Sequence, residues 1–250
     1  MQPRIGLLLL LLSSSTLLHA QAAPERGPDA VTRSFTPGIE VLPYPSLPFS
    51  GTDTIVQTRL MRDGGSVVTS LTAQVARDSQ GRVYRERRSF TPQGTDPQKT
   101  LREFYILDPT TSTRTDCTIA THHCIVTSYR PQFAVRLMPA GPFDQGRQSL
   151  VRDSLGQQSV GDLTTIGTRE TITVSAGTFG NDRPLTLTRE FWYSPDLKTN
   201  LAVTRSDPRL GTFDIHLNVQ SRTDPSPDLF TIPADYTLQD TRQVATSSAH

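Results

Sequence analysis

Thr212-Phe213-Asp214-Ile215-His216-Leu217-Asn218-Val219-Gln220-Ser221 decides the fold class. Phe213, Ile215, Leu217 and Val219 alternate with Asp214, His216, Asn218 and Gln220. Successive side chains of a strand point to opposite faces, so this stretch buries one face and wets the other. A helix would scatter the same four apolar side chains around its circumference. A one-sided strand needs neighbours along its edges and a cover over its apolar face.

The neighbours are legible on both sides. Leu150 to Val160, Leu163 to Val174, Pro184 to Tyr193 and Asn200 to Arg205 read as strands leading up to it. In the first half, Thr54 to Arg62, Ser66 to Arg77 and Arg82 to Phe90 are separated by the tight-turn signals Asp63-Gly64-Gly65 and Ser79-Gln80-Gly81. Val67, Leu71, Ala73 and Val75 share one face of the middle strand, with Thr69 interrupting. Thr91 to Lys99 is a loop, and Leu101 to Leu107 a strand ending at Asp108-Pro109. Thr113 to Ile119 and Cys124 to Arg130 form a hairpin, and the Pro- and Gly-rich Pro131 to Gln148 reads as a long crossover. Asp224-Pro225-Ser226-Pro227 opens one helical turn, with Asp224 as N-cap and Pro225 in the first helical position. Asp96-Pro97 is a second short-helix candidate. The expected fold is mainly β, a single curved antiparallel sheet with little helix, a half-barrel-like meander of roughly ten strands over residues 51–238.

Composition agrees. Thr (34), Ser (22) and Pro (19) are abundant among 250 residues and favour strands and turns over long helices. Twenty-five Lys and Arg stand against 24 Asp and Glu, for a formal charge of +1. That balance, without blocks of like charge, excludes a basic arm or surface for nucleic acid.

Residues 1–22 read as an export signal. Arg4 precedes the apolar run Ile5 to Leu12, and Ala20-Gln21-Ala22 is a small-x-small cleavage pattern. No Cys follows that run to accept lipid, and no later stretch is apolar and long enough for a membrane helix. An aromatic content of 7 % and a polar end argue against a membrane barrel. The expectation is a periplasmic or secreted protein with no transmembrane segment after cleavage. Residues 23–50 carry six prolines and form an extended arm. Composition leaves two fates for it open, packing on the domain or running free as a linker. Residues 239–250 are a disordered tail.

Chemistry-bearing constellations are few. Cys117 and Cys124 are the two cysteines, and export to an oxidising compartment pairs them as a disulfide across the hairpin. A metal set of Cys117, His122, His123 and Cys124 fails because adjacent histidines on a strand face opposite ways. The same argument disfavours Cys124 with His123 as nucleophile and base. No nucleophile elbow, zinc-protease helix, phosphate loop or dinucleotide fingerprint occurs. Asp63, Asp96, Asp108, Asp207 and Asp224 stand at turns, where turn chemistry explains them. No catalytic residue, cofactor or metal is assigned. Arg82, Arg85, Arg87 and Arg88 crowd one strand and are expected on a solvated face with cross-strand partners, the alternative being a clamp for lipid phosphate or carboxylate. Trp192, between Phe191 and Tyr193, belongs to an aromatic core cluster.

An ordered series of motifs resembles a group of uncharacterised exported bacterial β-rich proteins. It comprises Asp63-Gly64-Gly65, Arg77-Asp78-Ser79-Gln80-Gly81-Arg82, Gly167-Thr168-Arg169, Glu190-Phe191-Trp192-Tyr193-Ser194-Pro195, Asp207-Pro208-Arg209 and Asp224-Pro225, with Pro233-Ala234-Asp235-Tyr236 closing it. The carboxy-terminal half also resembles the periplasmic lipoprotein-carrier (LolA-like) and sigma-regulatory sensor superfamily. That resemblance implies an incomplete barrel whose apolar concave face takes acyl chains, although this sequence lacks the amphipathic helices that line such a cavity. The resulting expectation is a non-catalytic envelope protein binding a lipid, a lipoprotein acyl chain or another apolar ligand through residues not identifiable here. The alternative is a structural or protein-interaction module of the envelope with no small-molecule ligand.

Overall fold

The computed structural model describes residues 38–92, 100–134 and 137–242. The export signal, the Asp96-Pro97 helix candidate and the end of the tail lie outside the described residues.

Among the described residues, fourteen strands form one sheet. In chain order they are β1 (Phe49–Leu60), β2 (Ser66–Arg77), β3 (Val83–Arg88), β4 (Thr91–Pro92), β5 (Leu101–Asp108), β6 (Thr113–Thr118), β7 (His123–Ser128), β8 (Gly141–Phe143), β9 (Gln148–Val160), β10 (Leu163–Val174), β11 (Leu185–Ser194), β12 (Thr199–Asp207), β13 (Gly211–Ser221) and β14 (Thr237–Asp240). Across the sheet the order is β14-β7-β6-β5-β3-β2-β1-β13-β12-β11-β10-β9-β8, with β4 pairing β2. Two antiparallel meanders therefore meet along β1 and β13, where Ile55 faces Ile215 and Asp53 faces Leu217. The 131–148 stretch carries the chain from one meander to the other, as a crossover should. The expected ten strands become fourteen because short segments join at the edges. One of them, β14, runs parallel to β7, so the sheet is mixed rather than wholly antiparallel.

Register puts two sets of side chains on opposite faces. Phe49, Ile55, Leu71, Val75, Val83, Val203, Ile215 and Leu217 belong to the inner core. Tyr84, Phe104, Ile106 and the cysteines form a smaller outer core, against which Leu229, Phe230, Ile232 and Tyr236 pack. Each fully buried Leu, Ile, Val or Phe contributes about 1.5–3 kcal/mol, so neither face can be left to water. The two chain ends provide the covers. The carboxy-terminal segment crosses the outer face, through a short 3-10 turn over Pro227–Phe230. Its N-cap is Ser226, which accepts from the Asp228 N–H, and not Asp224 as the sequence suggests. Asp224 instead accepts from the Ser79 N–H at 2.7 Å, capping the β2–β3 turn. Residues 38–48 cross the inner face.

Candidate functional site: the arm-covered inner face

The Pro-rich arm is not a free linker over its described part. Ile39 and Val41 are 1 % and 2 % exposed and belong to the inner core with the strand residues. Prolines 43, 45 and 48 keep the backbone extended, so the arm offers its carbonyls sideways instead of to a helix. Buried carbonyls need donors, and two buried arginines supply them.

Arg77 ends β2 on the inner face, opposite Phe49. It is fully buried. Its Nε donates to the Leu47 carbonyl at 2.8 Å, Nη1 to Leu42 at 2.9 Å and Nη2 to Leu197 at 2.7 Å. One guanidinium thus ties two points of the arm to the β11–β12 turn. Burial pushes its pKa down to about 10, and it stays charged at neutral pH. The cation also sits 5.1 Å from the centre of the Phe49 ring.

Arg85 lies two residues along β3 from Val83 and pairs across the inner face with Asp53. The same guanidinium donates to the Ile39 carbonyl, while the Ile39 N–H donates to Asp53 at 3.2 Å. The arm residue is held at both its polar groups by one ion pair. Burial disfavours the charged form of both partners, and Asp53 offsets this by holding Arg85 protonated. Asp53 Oδ1 is buried without a hydrogen-bond partner among the described residues. A buried pair with an unsatisfied oxygen adds little net stability, so it positions the arm more than it glues it.

This corrects the expectation for the arginine-rich strand. Arg85 is buried, not solvated, and Arg88 is half-buried beside Glu86 at 2.8 Å. Arg87 does pair across strands, with Glu103 at 2.9 Å. Arg82 binds Asp78 at 2.6 Å and stacks over Phe230 on the outer face. The sequence reading missed Asp53 and Arg77 as anchors. A signal existed for Asp53: the alternation of Phe49, Gly51, Asp53 and Ile55 extends back from Ile55 and puts the carboxylate on the buried face, where a cation must meet it.

A second charged cluster lies further along the same sheet. Glu170, 1 % exposed, accepts from Arg152 at 2.6 Å and from Arg189 at 2.8 Å. The β10–β11 register places Arg189 opposite Glu170, so cross-strand pairing alone builds this triad.

Cys117 and Cys124 are disulfide-bonded, directly opposite each other on β6 and β7. His123 lies on β7, while His122 stacks on Tyr236 and reaches Asp235 at 2.9 Å. Trp192 lies against Gly167, where an added Cβ would fall 2.5 Å from the indole. Asp63, Asp108 and Asp207 accept turn N–H groups at 2.8–2.9 Å. Among the described residues no helix is long and apolar enough to cross a membrane.

The chain matches no protein-family model and no curated protein. Solved structures similar to it include a LolA superfamily protein from Nitrosomonas europaea, 10 % identical, at a TM-score of 0.30 over 75 % of this chain and 91 % of that one. A domain described as outer-membrane lipoprotein-sorting, from Vibrio parahaemolyticus, is 7 % identical at a TM-score of 0.28 over 73 % and 88 %. A DUF1329 family protein from Desulfovibrio piger is 11 % identical at 0.22 over 74 % and 90 %. Scores of this size establish no common ligand.

Proposed function

We propose that this is a non-catalytic envelope protein, periplasmic or secreted, whose inner sheet face takes a lipid or other apolar ligand in exchange for its own arm. The observation that carries the reading is the kind of cover the face has. Ile39 and Val41 lie in the inner core, yet residues 38–48 add no strand to the sheet order and make only an isolated bridge at Ile39. Residues 38–48 leave by breaking that one bridge, without unzipping a ladder. An acyl chain is an unbranched apolar rod that fits the same track, and the buried Arg77 and Arg85 stand ready to receive a carboxylate or phosphate in place of arm carbonyls.

The depth of the arm residues favours a second reading, in which the arm is a permanent part of the core and the protein is an interaction module without a small ligand. Titration with cis-parinaric acid, followed by its fluorescence, and native mass spectrometry after gentle extraction separate the two. Exchange predicts saturable binding that tightens in Gly81→Ala, where the new Cβ crowds the Pro43 carbonyl at 2.5 Å and loosens the arm. No binding to either protein, with a clean apo mass, overturns the carrier reading.

A further inference from the structure

Six large apolar side chains are exposed together at one end of the sheet. The β1–β2 hairpin carries Leu60, Met61, Val67 and Val68, the β12–β13 turn carries Leu210, and the β10–β11 connection carries Phe179. Leu60 is 80 % exposed. Strand pairing explains how they are displayed. β1 and β13 stay paired as far as Thr58 and Thr212. Beyond that, β1–β2 continues to Leu60 and Ser66, and β12–β13 to Asp207 and Gly211. The two hairpins part and leave an open groove of about 510 Å³ between their tips, lined in part by Leu60, Met61, Val67 and Leu210.

Charge brackets the apolar side chains, with Arg62 and Asp63 at the apex of the β1–β2 turn. Arg59 and Arg62 flank Leu60-Met61, both are exposed, and neither pairs with an acidic side chain among the described residues. The nearby acids are occupied: Asp63 accepts from the Gly65 N–H at 2.9 Å, and Asp207 binds Arg209 at 2.7 Å. The Arg209 guanidinium lies 4.6 Å from the centre of the Phe179 ring, which ties the third loop to the second.

We propose that this end of the sheet docks on an anionic phospholipid bilayer, with the exposed apolar side chains of the hairpins at the acyl boundary and Arg59 and Arg62 at the phosphates. Exposed apolar side chains bracketed by two guanidinium groups match the mixed polarity of a membrane interface, where arginines reach the phosphates while apolar groups enter the acyl boundary. A contiguous exposed apolar patch on a folded chain marks an interaction surface.

Co-sedimentation with vesicles of phosphatidylglycerol and phosphatidylethanolamine, and with phosphatidylcholine vesicles, tests this. Wild type and variants are prepared in the same form, so that any contribution of the amino-terminal apolar run is common to all. Exposed substitutions leave folding intact, which circular dichroism checks. Wild type pellets with the anionic vesicles. Leu60→Ser with Leu210→Ser weakens partitioning by about tenfold or more, since two apolar anchors are lost. Arg59→Gln with Arg62→Gln weakens it on anionic vesicles, removes its salt sensitivity and leaves phosphatidylcholine vesicles unaffected. Absence of pelleting, equal pelleting by wild type and both variants, or a solution dimer abolished by the same leucine substitutions overturns the proposal. Fatty-acid titration of the inner face is independent of this readout.

Discussion

Replacing Arg77 with Met removes the guanidinium and keeps most of the stem that packs beside Phe49. Three carbonyls, those of Leu42, Leu47 and Leu197, then lose their donor. Hydrogen bonds to a charged group are worth about 1.5–3 kcal/mol each, so the gross loss is about 4.5–9 kcal/mol. Removing a buried charge returns part of its desolvation cost, so the expected net loss is about 3–5 kcal/mol. The arm itself sets a ceiling of similar size: burial of Ile39, Val41 and Leu42 contributes about 1.5–3 kcal/mol apiece. The variant therefore spends much of its time with the arm released. Two assays read this. Urea unfolding followed by the single tryptophan, Trp192, reports on the sheet, and with a slope of about 2.5 kcal/mol per molar the midpoint falls by about 1–2 M. Limited proteolysis reports on the arm, which becomes cleavable in native buffer. A midpoint within about 0.3 M of wild type, with the arm as resistant as before, refutes the staple role of Arg77. Arg77→Lys reaches fewer of the three carbonyls from one ammonium and lies between Met and wild type.

Other outcomes follow from the same geometry. Gly81 and Gly64 both have positive φ, but an added Cβ meets Pro43 O at 2.5 Å at Gly81 and open space at Gly64. Gly64→Ala costs only the left-handed strain of about 1–2 kcal/mol, and thermal unfolding shows a larger loss for Gly81→Ala. The paired substitution Cys117→Ala and Cys124→Ala loses about 2–3 kcal/mol of loop-closure stabilisation. Urea curves show that loss together with exposure of the outer core. Burial raises the Asp108 carboxyl, but the Thr110 hydroxyl and the Thr110 and Thr111 N–H groups outweigh it and hold the group below the ordinary 3.8. Its stabilisation is fully present above 3.8 and is lost as pH falls through the depressed folded value. The Tm advantage of wild type over Asp108→Asn at neutral pH therefore shrinks as pH falls below 3.8 and is gone once the folded-state carboxyl is protonated.

Local alternation and turn residues carried most of the strand pattern. The period-two run from Phe213 to Val219 became β13 with the apolar face inward, and Asp63-Gly64-Gly65 and Ser79-Gln80-Gly81 became the turns flanking β2. Partnerships over long separations were not legible. Nothing near Thr54 says that β1 pairs with β13 more than 150 residues later. Arg77 looks like an ordinary polar strand end, because its acceptors lie 30, 35 and 120 residues away. Arg85 sits among other arginines and shares their local sequence; Arg87 even lies on the same face and stacks over Tyr105, and only the distant partner Asp53 sets Arg85 apart. The helical turn was placed one proline too early because Asp224-Pro225 and Ser226-Pro227 are equivalent capping signals, and the Ser79 N–H claims Asp224 first.

Hydrogen exchange at the arm tests the central claim most directly. The Ile39 amide is bonded to Asp53, and the ladders of β1 and β13 provide an internal reference. With cis-parinaric acid bound, exchange at residues 39–42 accelerates while β1 and β13 keep their protection. Saturating ligand with the arm amides as protected as in the free protein would contradict it.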